Sequence, residues 1–364
     1  MYSKRWIHHG RPLEPITHFL TGACLGRAGL NRKSALATAT LTLAAEAPDL
    51  DVFGRFNGSV FGFAHHRGFT HSFLGGPLVA LVVIAVVYGF WRWRGRKTKD
   101  PSLPPRWGIL FLYACIGAWS HILLDFTNNY GVRPFWPFSE RWYSWDIVFI
   151  YEPVLWLFLI GGLIVPVLFS LVDQEIGARS FKPRGRLAAI IALSGTVLTW
   201  GVRDFEHRRA LAALQARTYQ GAEAIRASAY PYPWNPFMWN GVVETANFFA
   251  IMSVDSLGPE IDSEDRMNVR YKPEETPVTL AAKKTYLGQV YLDWAKYPIT
   301  ETQELTGPPG YLVAFHDLRY QYAGLARRPL TAGVILDQNY QVISEFFGMS
   351  RSRGAINQRS AGAE

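Results

Sequence analysis

Three imidazoles, His65, His66 and His71, fall within seven residues of the segment FAHHRGFTHSF, and an apolar run from Phe73 to Phe90 follows at once. Imidazole nitrogen with carboxylate oxygen is a donor set that zinc and related divalent ions favour, and catalytic sites draw such donors from several segments while leaving one position open. Matching carboxylates stand elsewhere: Asp49 and Asp51 in APDLDVF, and Asp125 four residues after His121 in HILLDF. On a helix that spacing puts His121 and Asp125 on one face a turn apart, able to clamp one ion. A buried hydrogen-bonded pair is the competing reading. Ionisable groups inside an apolar span are costly, about 2.5–3.5 kcal/mol for a central Asp on insertion scales, and function is their default explanation.

After Pro48, an extended or turned backbone would present Asp49 and Asp51 to one side. There they could bridge two ions, or bind one while orienting a ligand histidine; a helix terminus with two solvated acids is the alternative. Adjacent histidines diverge, so the HHRGFTH segment serves either two ions, or one ion through His65 and His71 with His66 as a general acid/base. Arg67 carries a planar donor fork suited to a phosphate oxygen, the alternative being an interfacial arginine snorkelling to headgroups. Thr70 and Ser72 read as capping or hydrogen-bonding groups. His18 in PITHFLTG opens the first apolar segment, Asp146 is a weaker candidate ligand, and Glu46 is an outer-shell or solvated acid. His8, His9, His207 and His316 attract no role. No HExxH, GxSxG, Walker loop or CxxC pair is present.

The elements that must position these groups are membrane spans. Of 364 residues 49% are hydrophobic and 18% charged, enough chain for two domains, with the apolar residues concentrated in the first two hundred. Runs near 73–91, 107–126, 148–172 and 187–202 hold almost no charge, and three approach or exceed the ~18–20 residues that cross a bilayer as helix. Segments 15–30 and 34–47 are shorter and rich in Ala, Thr and Gly, and read as tilted spans, a re-entrant hairpin or buried helices. The first fifteen residues are polar with no signal-peptide cleavage pattern. Cys24 and Cys115 lie in apolar stretches as small core residues.

The net charge of +8 does not signal nucleic acid, because residues 203–364 carry 17 Lys/Arg against 18 Asp/Glu and the excess sits in the membrane half. The loop 92–106 has six basic residues and 173–186 has four, so both are expected in the cytoplasm. The aromatic-rich 127–147 loop then lies outside. Carried along the chain, this alternation puts His18, Asp49, Asp51, the HHRGFTHS segment, His121 and Asp125 at outer ends. The expected architecture is a multi-pass α-helical membrane domain of four to six hydrophobic helices over 1–202, a small α+β extracytoplasmic domain over 203–350, and a disordered tail over 351–364. In the second domain, DFEHRRALAALQARTYQGAEAIRASAY reads as helix, as does 280–296. Met238–Val254, Tyr311–Tyr320, Leu330–Asp337 and Gln341–Phe347 read as strands, with a turn at Asp337–Tyr340.

In this order, THFLTGACLG, APDLDVF, HHRGFTHS and HILLDFTNNYG resemble the YdjM-like family of bacterial inner-membrane proteins described as metal-dependent hydrolases, over residues 14–150. The resemblance implies a helical membrane domain with metal-binding His and Asp residues, distantly similar to zinc phospholipase C and S1/P1-type nucleases. Carried over, the matching positions are His18, Asp49, His65 or His66, His71, His121 and Asp125. The expected activity is hydrolysis of a phosphate ester at the outer leaflet, a phospholipid or other lipid-linked phosphate, by water activated on one or two Zn²⁺ or related divalent ions. A divalent-metal or proton-coupled transporter and a non-catalytic scaffold stapled by metal are the rivals.

Overall fold

The computed structural model describes residues 15–98, 100–175, 185–232, 235–258, 267–322 and 329–348. His8, His9, the loop residues Arg179, Lys182 and Arg184, and the tail after Ser350 lie outside these ranges.

Among the described residues four helices are long and apolar enough to cross a membrane: α4 (Gly75–Trp93), α5 (Trp107–Thr127), α6 (Pro153–Glu175) and α7 (Gly185–Gln215). They coincide with the four uncharged runs. The two shorter segments form α1 (Pro15–Arg27) and α2 (Ala37–Glu46), of 13 and 10 residues, packed against α5, α6 and α7. Small residues permit that packing, as they do generally between helices in lipid. A Cβ added at Gly22 of α1 would lie 2.7 Å from the Leu41 carbonyl oxygen of α2, and one at Gly117 of α5 would lie 2.8 Å from that same oxygen. The three backbones therefore meet almost in contact, and α2 is held between α1 and α5.

Beyond α2 the chain enters a 3₁₀ helix, Ala47–Asn57, begun by Pro48. Runs of this geometry longer than three or four residues are uncommon. A short α3 (Ser59–His65) and a 3₁₀ turn (Phe69–His71) lead into α4.

The C-terminal part holds two four-stranded antiparallel sheets in simple up-and-down order. The first comprises β1 (Arg226–Pro231), β2 (Met238–Glu244), β3 (Phe248–Asp255) and β4 (Asn268–Tyr271); the second comprises β5 (Pro298–Thr306), β6 (Pro309–Asp317), β7 (Ala332–Asp337) and β8 (Val342–Phe347). Helices α8 (Pro277–Lys284) and α9 (Tyr286–Trp294) cover the second sheet, burying Ala282, Leu287 and Tyr291 against Val313, Val334 and Leu336. Ala332, Val334 and Leu336 alternate along β7, the period-two pattern of a sheet with one buried face.

One expectation is corrected. Of the helix read over 204–230, the first part is the continuation of span α7, which ends at Gln215, and the last residues form β1 instead. The ladder Arg226↔Glu244 to Pro231↔Trp239 overrides a weak local helix preference. Strands β4 and β5 carry no alternating apolar signal in the sequence.

Candidate metal centre

Four elements converge at one end of the spans. α1 brings His18 in its first turn; the 3₁₀ helix after α2 brings Asp49 and Asp51; the turn before α4 brings His71; and α5 brings His121 and Asp125 in its last two turns. Arg32, Lys33, Arg106 and Arg186 belong to the opposite ends of these helices, where the Arg106 backbone N–H donates to Ser34 Oγ at 2.8 Å and Arg186 Nε donates to the Ala28 carbonyl at 3.2 Å.

Four donors form the centre: Asp49, His71, His121 and Asp125, each offering one atom within 4.8 Å of the others. His71 Nε2 and His121 Nε2 are 3.0 Å apart. Asp49 Oδ1 is 3.5 Å from each of these nitrogens, and Asp125 Oδ2 is 3.4 Å from each. A tetrahedral ion with bonds of about 2.0–2.2 Å needs ligand-to-ligand edges of roughly 3.3–3.6 Å. The four oxygen-to-nitrogen edges match that shape, and the 3.0 Å edge between the two Nε2 atoms is shorter. Two of the four atoms, Asp49 Oδ1 and Asp125 Oδ2, are buried with no hydrogen-bond partner, a state that ordinarily calls for a cation or a donor.

The tautomers sharpen the case. His121 Nδ1 lies 2.6 Å from the Ala45 carbonyl, which can only accept, so Nδ1 carries a proton and the neutral ring bears its lone pair on Nε2. His71 Nδ1 faces Thr70 Oγ1 at 3.0 Å and Asp51 Oδ2 at 3.3 Å, which likewise draws its proton away from Nε2. Two charged rings would bring two N–H groups head to head, so at most one proton can sit between the Nε2 atoms. A divalent cation satisfies all four acceptors together.

Asp51 is not one of the four; it stands behind His71. Its carboxylate accepts from His66 Nδ1 at 2.9 Å, from the Arg67 backbone N–H at 2.9 Å and from Thr70 Oγ1 at 3.3 Å. Burial alone would raise this carboxyl, but the charge and hydrogen bonds of His66 and His71 hold it well below the usual carboxylate range. A carboxylate behind a ligand histidine fixes ring orientation and raises ligand basicity. Asp51→Asn is therefore expected to weaken metal affinity by about 10–100-fold with the fold retained. Competition against a chromophoric chelator measures this, and an unchanged affinity would remove Asp51 from the role.

Other candidates are reassigned by geometry. His65 is exposed, its Nδ1 donates to the Phe61 carbonyl of its own helix at 2.9 Å, and its ring stacks on Phe61. It is no ligand of this centre. His18 stacks on His121 with ring centroids 3.7 Å apart, and its Nε2 is 3.5 Å from Asp125 Oδ1, so it flanks the centre. Asp146 pairs with Lys296 at 2.7 Å, tying the 127–147 loop to the C-terminal domain. Ser72 Oγ accepts from the Gly75 backbone N–H and secures the start of α4.

Arg67 is the main correction. Its guanidinium is fully buried, donating to Asp125 Oδ1 at 2.7 Å, to the Gly131 carbonyl at 2.8 Å and to Asn128 Oδ1 at 3.3 Å, and it lies over the Tyr130 ring at 4.7 Å. A fork so committed cannot hold a phosphate; it holds a ligand. Behind it, the NNY of HILLDFTNNYG is gripped by the C-terminal domain: Trp294 Nε1 donates to the Tyr130 carbonyl at 3.1 Å, and Arg319 Nη1 and Tyr320 Oη donate to the Asn129 carbonyl at 2.8 and 3.2 Å. No sequence signal marked this grip, because its partners lie more than 160 residues apart.

Compared with known proteins, residues 13–208, more than half of the chain, match the family described as YdjM inner membrane protein. Residues 277–359 match the YfhP C-terminal alpha/beta plait domain, the region of α8, α9 and the second sheet. The uncharacterized protein YfhP of Bacillus subtilis (strain 168) is 24% identical over 358 residues, covering 94% of this chain and 97% of YfhP. The inner membrane protein YbcI of Escherichia coli (strain K12) is 35% identical over 144 residues, covering 36% of this chain and 73% of YbcI. No solved structure matches. All four donors lie within the matched membrane region.

Proposed function

The chain belongs to the family of YdjM inner membrane proteins, and from that premise we propose that it is a membrane-bound hydrolase of phosphate esters that depends on one divalent metal ion held by Asp49, His71, His121 and Asp125. Its four spans make it a multi-pass protein of the inner membrane. The observation that carries the proposal is the meeting of four ligand atoms within 4.8 Å of one another, with two carboxylate oxygens buried and unsatisfied.

An ion bound there, zinc by the chemistry of the donor set, would supply Lewis acidity, acidifying water and offsetting charge on a phosphoryl oxygen. The remaining roles fall to the protein's own side chains. Asp49, with 14% of its side chain exposed against 0–2% for the other three, forms the open edge through which a substrate reaches the centre. Asp51 orients His71. His66, whose Nδ1 donates to Asp51, presents Nε2 as an acceptor for a proton, the role of a general base. Arg67 holds Asp125 in position.

A metal staple is the second reading, favoured because four protein donors from three separate elements already complete a tetrahedron, as structural sites do. Stripping the metal with a chelator separates the two. A hydrolase loses turnover of a chromogenic phosphate ester and regains it on reloading, at a modest cost in melting temperature. Absent turnover in both states, together with a large fall in melting temperature on stripping, would establish the staple. A transport path would need donors at both ends of the spans, whereas the four gather at one.

The basic loop 92–106 supports an orientation with the metal end and the C-terminal domain outside. With Cys24 and Cys115 replaced, single cysteines at Ser102 and Asn339, both exposed, are expected to react in intact cells with an impermeant maleimide only at 339. Labelling only at 102 would turn the site to the cytoplasm and favour soluble phosphate esters.

A further inference from the structure

The eleven-residue 3₁₀ helix Ala47–Asn57 does more than deliver Asp49 and Asp51. With three residues per turn, side chains at i, i+3 and i+6 stack in one row. Leu50, Phe53 and Phe56 form such a row, and all three are exposed, at 56, 57 and 87%. The Phe53 and Phe56 rings stack with centroids 5.8 Å apart. The neighbouring row begins at Asp49 on the metal centre, and the third holds Asp51 behind His71. An apolar ridge thus stands on the outside of the element whose other sides build the site, and ridges of this kind on soluble surfaces mark contact with something apolar.

The occupant is indicated by what the ridge adjoins. Leu43 in α2, and Ile16 and Phe19 in α1, are about half exposed, on helices of the membrane domain. Ile16 and Phe19 line a shallow groove with Pro15 and Glu46, the residue directly before the 3₁₀ helix. The ridge therefore extends a lipid-facing surface past the end of α2, at the same end of the spans as the metal centre.

We propose that the Leu50–Phe53–Phe56 row is set into the bilayer at the boundary of headgroups and acyl chains, bringing lipid headgroups level with the exposed edge of Asp49. This deepens the hydrolase reading by identifying the substrate class as a phosphate-bearing membrane lipid, and rests on that reading for this consequence alone. An in-plane segment with one apolar side is the structure that interfacial anchoring requires.

The test uses the full-length protein in liposomes with Cys24 and Cys115 replaced, and a nitroxide attached to a cysteine at Phe53 or, separately, at the nearly fully exposed Phe56. Collisional relaxation by oxygen, which concentrates in lipid, is compared with that by a water-soluble nickel chelate. Labels at Leu81, on the exposed face of α4, and at Asn339 give the lipid and water references. Oxygen-dominated relaxation at 53 and 56, at least severalfold above the Asn339 ratio and approaching Leu81, is expected. Chelate-dominated relaxation would overturn the proposal, and so would protection from both agents, which would mean that a second protein chain covers the ridge. Size-exclusion profiles of the labelled variants verify folding. Neither metal nor turnover enters the measurement, so its failure would leave the hydrolase reading standing, and loss of that reading would leave the lipid contact intact.

Discussion

His121→Ala should leave the purified protein without stoichiometric metal. The substitution removes one of four donor atoms and also the hydrogen bond to the Ala45 carbonyl and the stack on His18 that hold the ring in place. Losing a residue that merely orients a ligand costs about 10–100-fold in affinity, so losing a ligand should cost at least about 100-fold. Asp125→Asn should act in the same direction, since its Oδ2 is the donor facing both Nε2 atoms. His65→Ala is the informative control: its side chain is exposed and bonded to its own helix, so metal content should match the parent. Elemental analysis of detergent-purified protein with chelator competition reads all three. Full occupancy in both His121→Ala and Asp125→Asn would sink the assigned centre.

Arg67→Ala should be among the most destabilising single changes in the membrane domain. Asp125 would remain buried at 1% exposure with Oδ1 facing only the weak contacts of Asn128 Nδ2 at 3.4 Å and His18 Nε2 at 3.5 Å, and the guanidinium's contact with Tyr130 would vanish. Removing one partner of a buried ion pair costs about 3–5 kcal/mol. The loss should be larger in metal-stripped than in metal-loaded protein, because a bound cation compensates the same carboxylate. Arg67→Lys should recover only part, since a single ammonium cannot reach Asp125, Asn128 and the Gly131 carbonyl at once. Thermal unfolding with and without chelator gives the comparison, and an equal loss in both states would break the link between Arg67 and the centre.

Much of this was legible in residue order. The four spans announce themselves because a bilayer demands some twenty apolar residues in a row, a constraint that local sequence satisfies or fails by itself. The type of donor and the shared end of the helices followed from where ionisable residues interrupt those runs. Strands β2, β3, β6, β7 and β8 were readable from aromatic and β-branched runs, while β1, β4 and β5 were not, because their exposed or small residues become strand only through the ladder they join.

What residue order determined, then, was the chemistry available and its gathering at one end of the spans. Which histidine binds, which aspartate orients and what Arg67 does were decided only by the tertiary structure. The reason is angular. His65 ends α3, His66 turns extended, and Arg67 takes a positive φ of 56° before the 3₁₀ turn carries His71 inward. These backbone rotations send neighbouring side chains to opposite fates, and they are set by Asp51, Asn128 and Gly131, residues far apart in the chain that meet only when the helices pack.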